Sequence, residues 1–320
     1  MAYTVLFPRD IARNGRAFLE QRGYTIKTGS GFDEASLLRD IVDADALLVS
    51  HETYSRDILK AGKKLKCIAR FGVGFDSIDV EAATDFGIQV TYTPHALTNA
   101  VAEHTIALLF ACAKRVVFMD GQVRRGNWNI RNNADFMSIE LSGKTLGLIG
   151  LGRIGLATAR IARHGLNMNV RAYDPHLPAE RFPDGIAREE SLESLAAHSD
   201  FVSLHLPATT ETEGLIDRAF FSAMRKGSWF INCARGAVVN EADLLKALTD
   251  GPLAGAGLDV LVDEPPKPDN PLLALDNVVI LPHTGSFTLE TRNAMGMTAA
   301  ESIDDVLSGR PAAWPVNKLP

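Results

Sequence analysis

The stretch LGLIGLGRIGLATAR, residues 146 to 160, admits few folds. Leu146, Leu148 and Ile149 form a short apolar run of the kind found in a strand buried on both faces. Gly150, Gly152 and Gly155 follow as G-x-G-x-x-G, and Ile154, Ala157, Thr158, Ile161 and Ala162 then recur at helical spacing. Gly165 is the expected helix C-cap. Glycines between a strand and a helix suit a tight turn, a close approach of backbone to a pyrophosphate, and close packing of helix on strand. The helix N-terminus would offer free N–H groups and partial positive charge to the phosphates. Taken alone the pattern is weak. Here Val170, Ala172 and Tyr173 form a second strand ending at Asp174, 19 residues after Gly155. A carboxylate there can accept from ribose hydroxyls and repels a 2′-phosphate, which favours NAD over NADP.

Well over a hundred residues precede this motif. They alternate short apolar strands (YTVLFP, YTIKTG, DALLVS, KCIARFG, GIQVTYTP) with helical patterns (DIARNGRAFLEQRG, DEASLLRDIVDA, RDILKAGKKL), so a complete α/β unit with a parallel sheet is expected first. A long helix, TNAVAEHTIALLFACAKRV, carries the chain onward. The segment from about 114 to 138 reads as a less regular extended arm, with Trp128 and Phe136 as contact anchors. After the glycine unit come four more apolar strands: FVSLHLP, GSWFINCARG, LAGAGLDVL and NVVILPHTG.

Composition narrows the class. Across 320 residues, 46% are hydrophobic and 22% charged, as in ordinary globular chains of about two domains. A net charge of -6 without a basic block argues against nucleic acid or anionic membrane as a partner. Cys67, Cys112 and Cys233 lie too far apart for a disulfide framework or a zinc motif, so no metal is expected and a reducing, cytoplasmic compartment is. The N-terminus lacks a signal-peptide pattern, and no apolar run reaches the length of a membrane span.

Open α/β sheets bind ligands at the carboxyl ends of their strands, so the polar residues there are the candidates for chemistry. Arg235 follows INCA and could grip a carboxylate bidentately. Asp259 ends LAGAGLD, and Glu264 lies in the following VDEPP. His283 ends VVILPH, where an imidazole could donate or accept a proton; a neighbouring carboxylate favours an imidazolium. His51, His164, His176 and His198 read as surface. His95, His104 and His205 stay open.

The motifs RFGVGFDSID, NAVAEHTIALL, GKTLGLIGLGRIG, YDP, VSLHLPATTETEGLI, FINCARGAVVNEADLLKAL, AGLDVLVDEPP and NVVILPHTGSFTLE, in this order, resemble those of the D-isomer-specific 2-hydroxyacid dehydrogenases over nearly the whole chain. The similarity is greatest to the short phosphoglycerate dehydrogenase-type and hydroxypyruvate/glyoxylate reductase-type members. The resemblance implies two Rossmann-like or flavodoxin-like parallel-sheet domains with a cleft between them. Residues 1–98 plus 289–320 would bind substrate; residues 99–288 would bind NAD and carry a dimerisation arm at about 114–138.

The resemblance also assigns roles. His283 would be the general acid–base, Glu264 its paired carboxylate, and Arg235 the grip on substrate carboxylate and carbonyl. Val73 and Gly74 would donate backbone N–H groups to the substrate carboxylate, and Arg70 sits where phosphoglycerate-type enzymes bind a phosphate. Arg153 and Ile154, with Gly150, Gly152 and Gly155, would hold the pyrophosphate and Asp174 the ribose. Thr93, Leu206, Pro207, Thr212, Cys233, Ala234, Asp259 and Gly285 would surround the rest of the cofactor. Selectivity would come from loops at His51–Tyr54 and Arg70–Phe75, and from Phe287. The expected function is NAD-dependent interconversion of a D-2-hydroxy acid and its 2-oxo acid in a homodimer. A serine-type regulatory C-terminal domain is not expected. Phosphite oxidation by the same Arg-Glu-His set is an alternative. So is a NAD-sensing, corepressor-like binding protein, although a long tail and a basic patch are both missing. The substrate-loop pattern of formate oxidation is not evident.

Overall fold

The structure, a computed structural model, describes residues 3–319. The chain divides into two compact units, one holding residues up to Leu97 together with those from Phe287 on, the other running from Thr98 to Ser286.

In the first unit the chain alternates β1 (Thr4–Phe7), α1 (Arg13–Gln21), β2 (Thr25–Thr28), α2 (Glu34–Asp40), β3 (Ala46–Val49), α3 (Arg56–Ala61), β4 (Cys67–Arg70), α4 (Val80–Asp85) and β5 (Gln89–Thr91). The five strands are parallel in the order β2-β1-β3-β4-β5, with Thr4 paired to Thr25 on one side of β1 and Val5 to Ala46 on the other. The order reverses direction between β1 and β3, which makes the carboxyl end there a topological switch point. Leu47, Val49, Ile68 and Val90 bury against Leu37 of α2, Ile58 and Leu59 of α3, and Ala82 and Ala83 of α4.

The second unit opens with α5 (Thr98–Ala113) and α6 (Val116–Arg124). Its sheet and helices follow as β6 (Thr145–Ile149), α7 (Arg153–Leu166), β7 (Asn169–Tyr173), β8 (Ala187–Arg188), α8 (Leu192–His198), β9 (Phe201–Leu204), α9 (Arg218–Ala223), β10 (Ser228–Asn232), α10 (Glu241–Thr249), β11 (Leu253–Leu258) and β12 (Val278–Ile280). All seven strands are parallel, in the order β12-β11-β10-β9-β6-β7-β8. Successive side chains of a strand face opposite sides, and β10 obeys this. Trp229 and Ile231 join the layer under α5 and α7, while Phe230 joins the layer under α8, α9 and α10. Each fully buried side chain of this size contributes about 1.5–3 kcal/mol. The chain then re-enters the first unit as α11 (Leu289–Leu307), which packs on α1 and on β3 and β4. Gly15 and Gly296 make that helix crossing possible, because a Cβ on Gly15 would lie 2.3 Å from the Gly296 carbonyl oxygen.

Several elements depart from the sequence reading. The arm is not irregular throughout, since Val116–Arg124 is helical and short 3-10 turns follow at Trp128–Asn132 and Ala134–Phe136. The long helix before it stops at Ala113, where Arg115 adopts a left-handed φ of 49° and starts α6. Gly165 lies inside α7; Asn167, at φ 52°, is the residue that ends it. Asparagine is the non-glycine that tolerates this conformation best. The helix α4 and the edge strand β8 were not anticipated.

Candidate active site

β6 delivers the glycine loop to the switch point between β6 and β9. Gly150 takes φ +92°, and a Cβ there would sit 2.6 Å from the His205 carbonyl oxygen. A Cβ on Gly155 would sit 2.4 Å from the Gly150 oxygen, so α7 starts hard against the loop. Gly152 differs: no atom lies within 4 Å of the place its Cβ would take, so the backbone there faces open space. Gly152 is also the N-cap of α7 and supplies no side-chain cap. The amides of Arg153 and Ile154, at the first helical positions, have no intrahelical acceptor. An unobstructed backbone at an uncapped helix start fits a pyrophosphate. Asp174, just after β7, accepts from Leu151 N at 2.9 Å and from His176 N at 3.0 Å, which ties it to the same loop. These residues fit a dinucleotide.

Neighbouring strands end in polar groups. After β9 come His205, Leu206 and Pro207, and the Thr212 hydroxyl holds that loop by donating to Pro207 O at 2.7 Å and accepting from Thr209 N at 2.8 Å. After β10, Asn232 braces the backbone of the next three residues. It accepts from Ala234 N and donates to Arg235 O, each at 2.9 Å. Arg235 is half-buried, with Nη1 donating to Ala234 O at 2.7 Å. Cys233 lies between them. Burial first, helped by the charge of Asp259, pushes its thiol up to about 12, so it is no thiolate nucleophile.

β11 ends at Asp259, which is 1% exposed. Its backbone oxygen accepts from His283 N, its Oδ1 from Thr284 N and its Oδ2 from Gly285 N, all at 2.8 Å. His104 Nε2 of α5 lies 3.1 Å from Oδ1, off the ideal N–H···O line. Burial by itself raises the Asp259 carboxyl, but the His104 contact and the two amides outweigh it and hold the group below the usual carboxylate range. His283, after β12, has a left-handed φ of 54°, a conformation costing about 1–3 kcal/mol in a non-glycine residue. Its Nδ1 lies 2.7 Å from Glu264 Oε2. Glu264 itself is fixed on its turn by Leu261 N at 3.3 Å to Oε1.

The other residues singled out from the sequence lie in the first unit. Arg70, at the end of β4, is buried. Its Nε donates to Gly74 O at 2.6 Å and its Nη1 to Phe71 O, so it shapes the loop that follows it. The amides of Val73 and Gly74 on that loop have no acceptor among the described residues. Thr93, after β5, is fully buried, and its N and Oγ1 lie 2.9 and 3.1 Å from Gly72 O. The structure thus gathers His283, Glu264, Asp259 and Gly285 closely, with Arg235 and the glycine loop at other strand ends of the same unit; Arg70, Val73, Gly74 and Thr93 belong to the other. Sequence reasoning missed Asn232 and left His104 open. A polar residue closing the buried strand SWFIN was the available sign of the first.

Comparison with known proteins bears on what these strand ends hold. Residues 106–285 match the family model described as the NAD binding domain of D-isomer specific 2-hydroxyacid dehydrogenases. The D-3-phosphoglycerate dehydrogenase of Archaeoglobus fulgidus is 40% identical over 314 residues, which is 98% of this chain and 59% of that protein. The chain therefore spans little more than half the length of that relative. The glyoxylate reductase of Thermofilum pendens is 42% identical over 292 residues, covering 88% of this chain and 84% of that one. Among solved structures, an NADPH-dependent glyoxylate/hydroxypyruvate reductase from Sinorhizobium meliloti, in complex with NADP and malonate, superposes with a TM-score of 0.89 at 33% identity, over 99% of this chain and 97% of that one. With the glycine loop, the matched domain and relatives that align with most of this chain at this identity, the chain belongs to the D-isomer-specific 2-hydroxyacid dehydrogenase family.

Proposed function

We propose that the chain is an NAD-dependent oxidoreductase that interconverts a D-2-hydroxy acid and its 2-oxo acid. The observation that carries this reading is the His283 Nδ1 to Glu264 Oε2 contact of 2.7 Å, in the same unit as the glycine loop. In this reading the second unit holds the cofactor. Gly150, Gly152 and Gly155 admit the pyrophosphate to the amides of Arg153 and Ile154, and Asp174 takes the ribose and disfavours a 2′-phosphate. Leu206, Pro207, Thr212, Cys233, Ala234, Asp259 and Gly285 complete its surroundings in this unit. When bound, NADH supplies the hydride for the substrate carbonyl carbon. Arg235 binds the substrate carboxylate. Arg235 also faces the negative charge that develops on the carbonyl oxygen, where a fixed cation is most effective. Glu264 accepts from His283 Nδ1–H and fixes the ring, so that Nε2 gives its proton to that oxygen. In the oxidative direction Nε2 takes the proton back.

The substrate we favour is a small 2-oxo acid such as glyoxylate or hydroxypyruvate. Arg70 already spends Nε and Nη1 on its own loop, which weighs against a phosphorylated acid. The working form in this reading is a homodimer joined through the arm. The three free cysteines, two of them buried, suit the cytoplasm. The test is NADH oxidation, read in the reduced-nicotinamide absorbance band, against glyoxylate, hydroxypyruvate, phosphohydroxypyruvate, pyruvate and a branched-chain oxo acid. Turnover of one of the first two above the others is expected. Bound NADH with no turnover of any would overturn the reading.

A further inference from the structure

The loop that carries His283 in its left-handed backbone hangs on one residue. The amides of His283, Thr284 and Gly285 all donate to Asp259, the first to its backbone oxygen and the other two to separate carboxylate oxygens. Gly285 lies against Asp259 so closely that a Cβ there would come within 3.0 Å of Oδ2, and within 3.7 Å of His104 and of Val101 on α5. A carboxylate buried to 1% exposure is costly unless it is charged, paired and hydrogen-bonded. Two backbone amides satisfy part of that need. The ionisable side chain that meets Asp259 at ion-pair distance is His104, at 3.1 Å from Oδ1; the other titratable neighbour acting on it, Cys233, carries no positive charge.

From this arrangement we infer that His104 is a positioning residue for the proton-transferring His283, acting through Asp259. The inference rests on the dehydrogenase reading above. His104 touches neither His283 nor Glu264 in any contact described. It stays on the rigid helix α5 and holds Oδ1 in place. Each carboxylate oxygen then keeps its own loop amide, and the loop keeps the imidazole where Glu264 can meet Nδ1. Without the imidazole the carboxylate is free to rotate or to take up a proton, and either change loosens an amide of the loop. Displacements of about 1 Å at a reacting group can cost on the order of a hundredfold in rate.

The test compares His104→Leu, which removes the donor, with His104→Gln, whose amide nitrogen can replace Nε2. Amide hydrogen exchange of Thr284 and Gly285 is measured in the cofactor-free full chain, together with kcat and KM for the oxo acid that the wild type reduces best. For His104→Leu we expect exchange of those two amides to quicken by about tenfold or more. We expect kcat to fall by about ten- to a hundredfold, while KM for the oxo acid stays within about threefold. His104→Gln should recover most of both losses. Unchanged exchange in His104→Leu overturns the proposal, and so does an equal fall in both variants, which would mark a bulk packing role. A wild type that turns over no oxo acid defeats the dehydrogenase reading instead, and the exchange comparison then decides this inference by itself.

Discussion

His205 follows β9 at the same strand ends as the proposed chemistry, yet its ring does something different. Its Nε2 is enclosed with no hydrogen-bond partner among the described residues, and burial lowers the ring from 6.5 to about 4. The folded chain therefore keeps this imidazole neutral where the unfolded chain protonates it. A base whose folded pKa is depressed leaves the unfolded state holding the extra proton between roughly pH 6.5 and 4, so stability falls as pH drops through that window. The loss is on the order of 3 kcal/mol across it. His205→Leu removes this contribution, and urea melts between pH 7 and 4.5 should show a shallower loss of stability than in wild type. Parallel pH slopes for the two proteins would refute the assignment. Single residues also mark the limit of reading a sequence. His283 and Glu264 stood out because each follows an apolar run. His104 could not be separated from the other histidines, because its partner Asp259 is distant in sequence and helical spacing does not reveal what a helix faces. Arg70 could not be placed either, because the sequence does not show that the loop after β4 folds back onto its guanidinium.

At the scale of elements, most helix starts carry a side-chain cap. α2, α4, α8, α9, α10 and α11 each begin with an Asp, Ser, Asn or Thr whose side chain accepts from an amide of the first turn. Such a cap is worth about 1 kcal/mol. α1, α3, α6 and α7 lack one, and of these α7 starts at a glycine, Gly152, whose backbone faces open space, in keeping with amides that meet a ligand. The helix α6 poses a different question, since none of its residues is buried and Val116, Val117 and Val123 are 52%, 56% and 44% exposed. Trp128 and Met137 beyond it are 63% and 74% exposed. Apolar side chains clustered along one arm are what an interface between copies covers. Sedimentation should give twice the 34.7 kDa of the chain, and Val117→Asp should shift that mass toward the monomer. A wild-type monomer would contradict the proposed dimer. The sequence reading of this arm did not separate helix α6, because its valines are exposed and lack the apolar periodicity of a core helix.

For the whole molecule, parallel sheets explain why so much was legible. Strands covered on both faces read as short apolar runs, and every strand of three or more residues in both sheets had appeared as one. The two-residue strand β8, with both residues exposed, carried no such signal. Strand order was not readable from the runs themselves, and it is the order that sets the switch points in the two sheets. The central claim is that His283 moves the proton while other residues hold the cofactor. The most direct measurement pairs the turnover of His283→Ala with its NADH dissociation constant, read by fluorescence titration. The account predicts a fall in kcat of about 10²–10⁴ with NADH affinity within about threefold of wild type. Wild-type turnover in that variant, or a loss of rate matched by an equal loss of NADH binding, would contradict it.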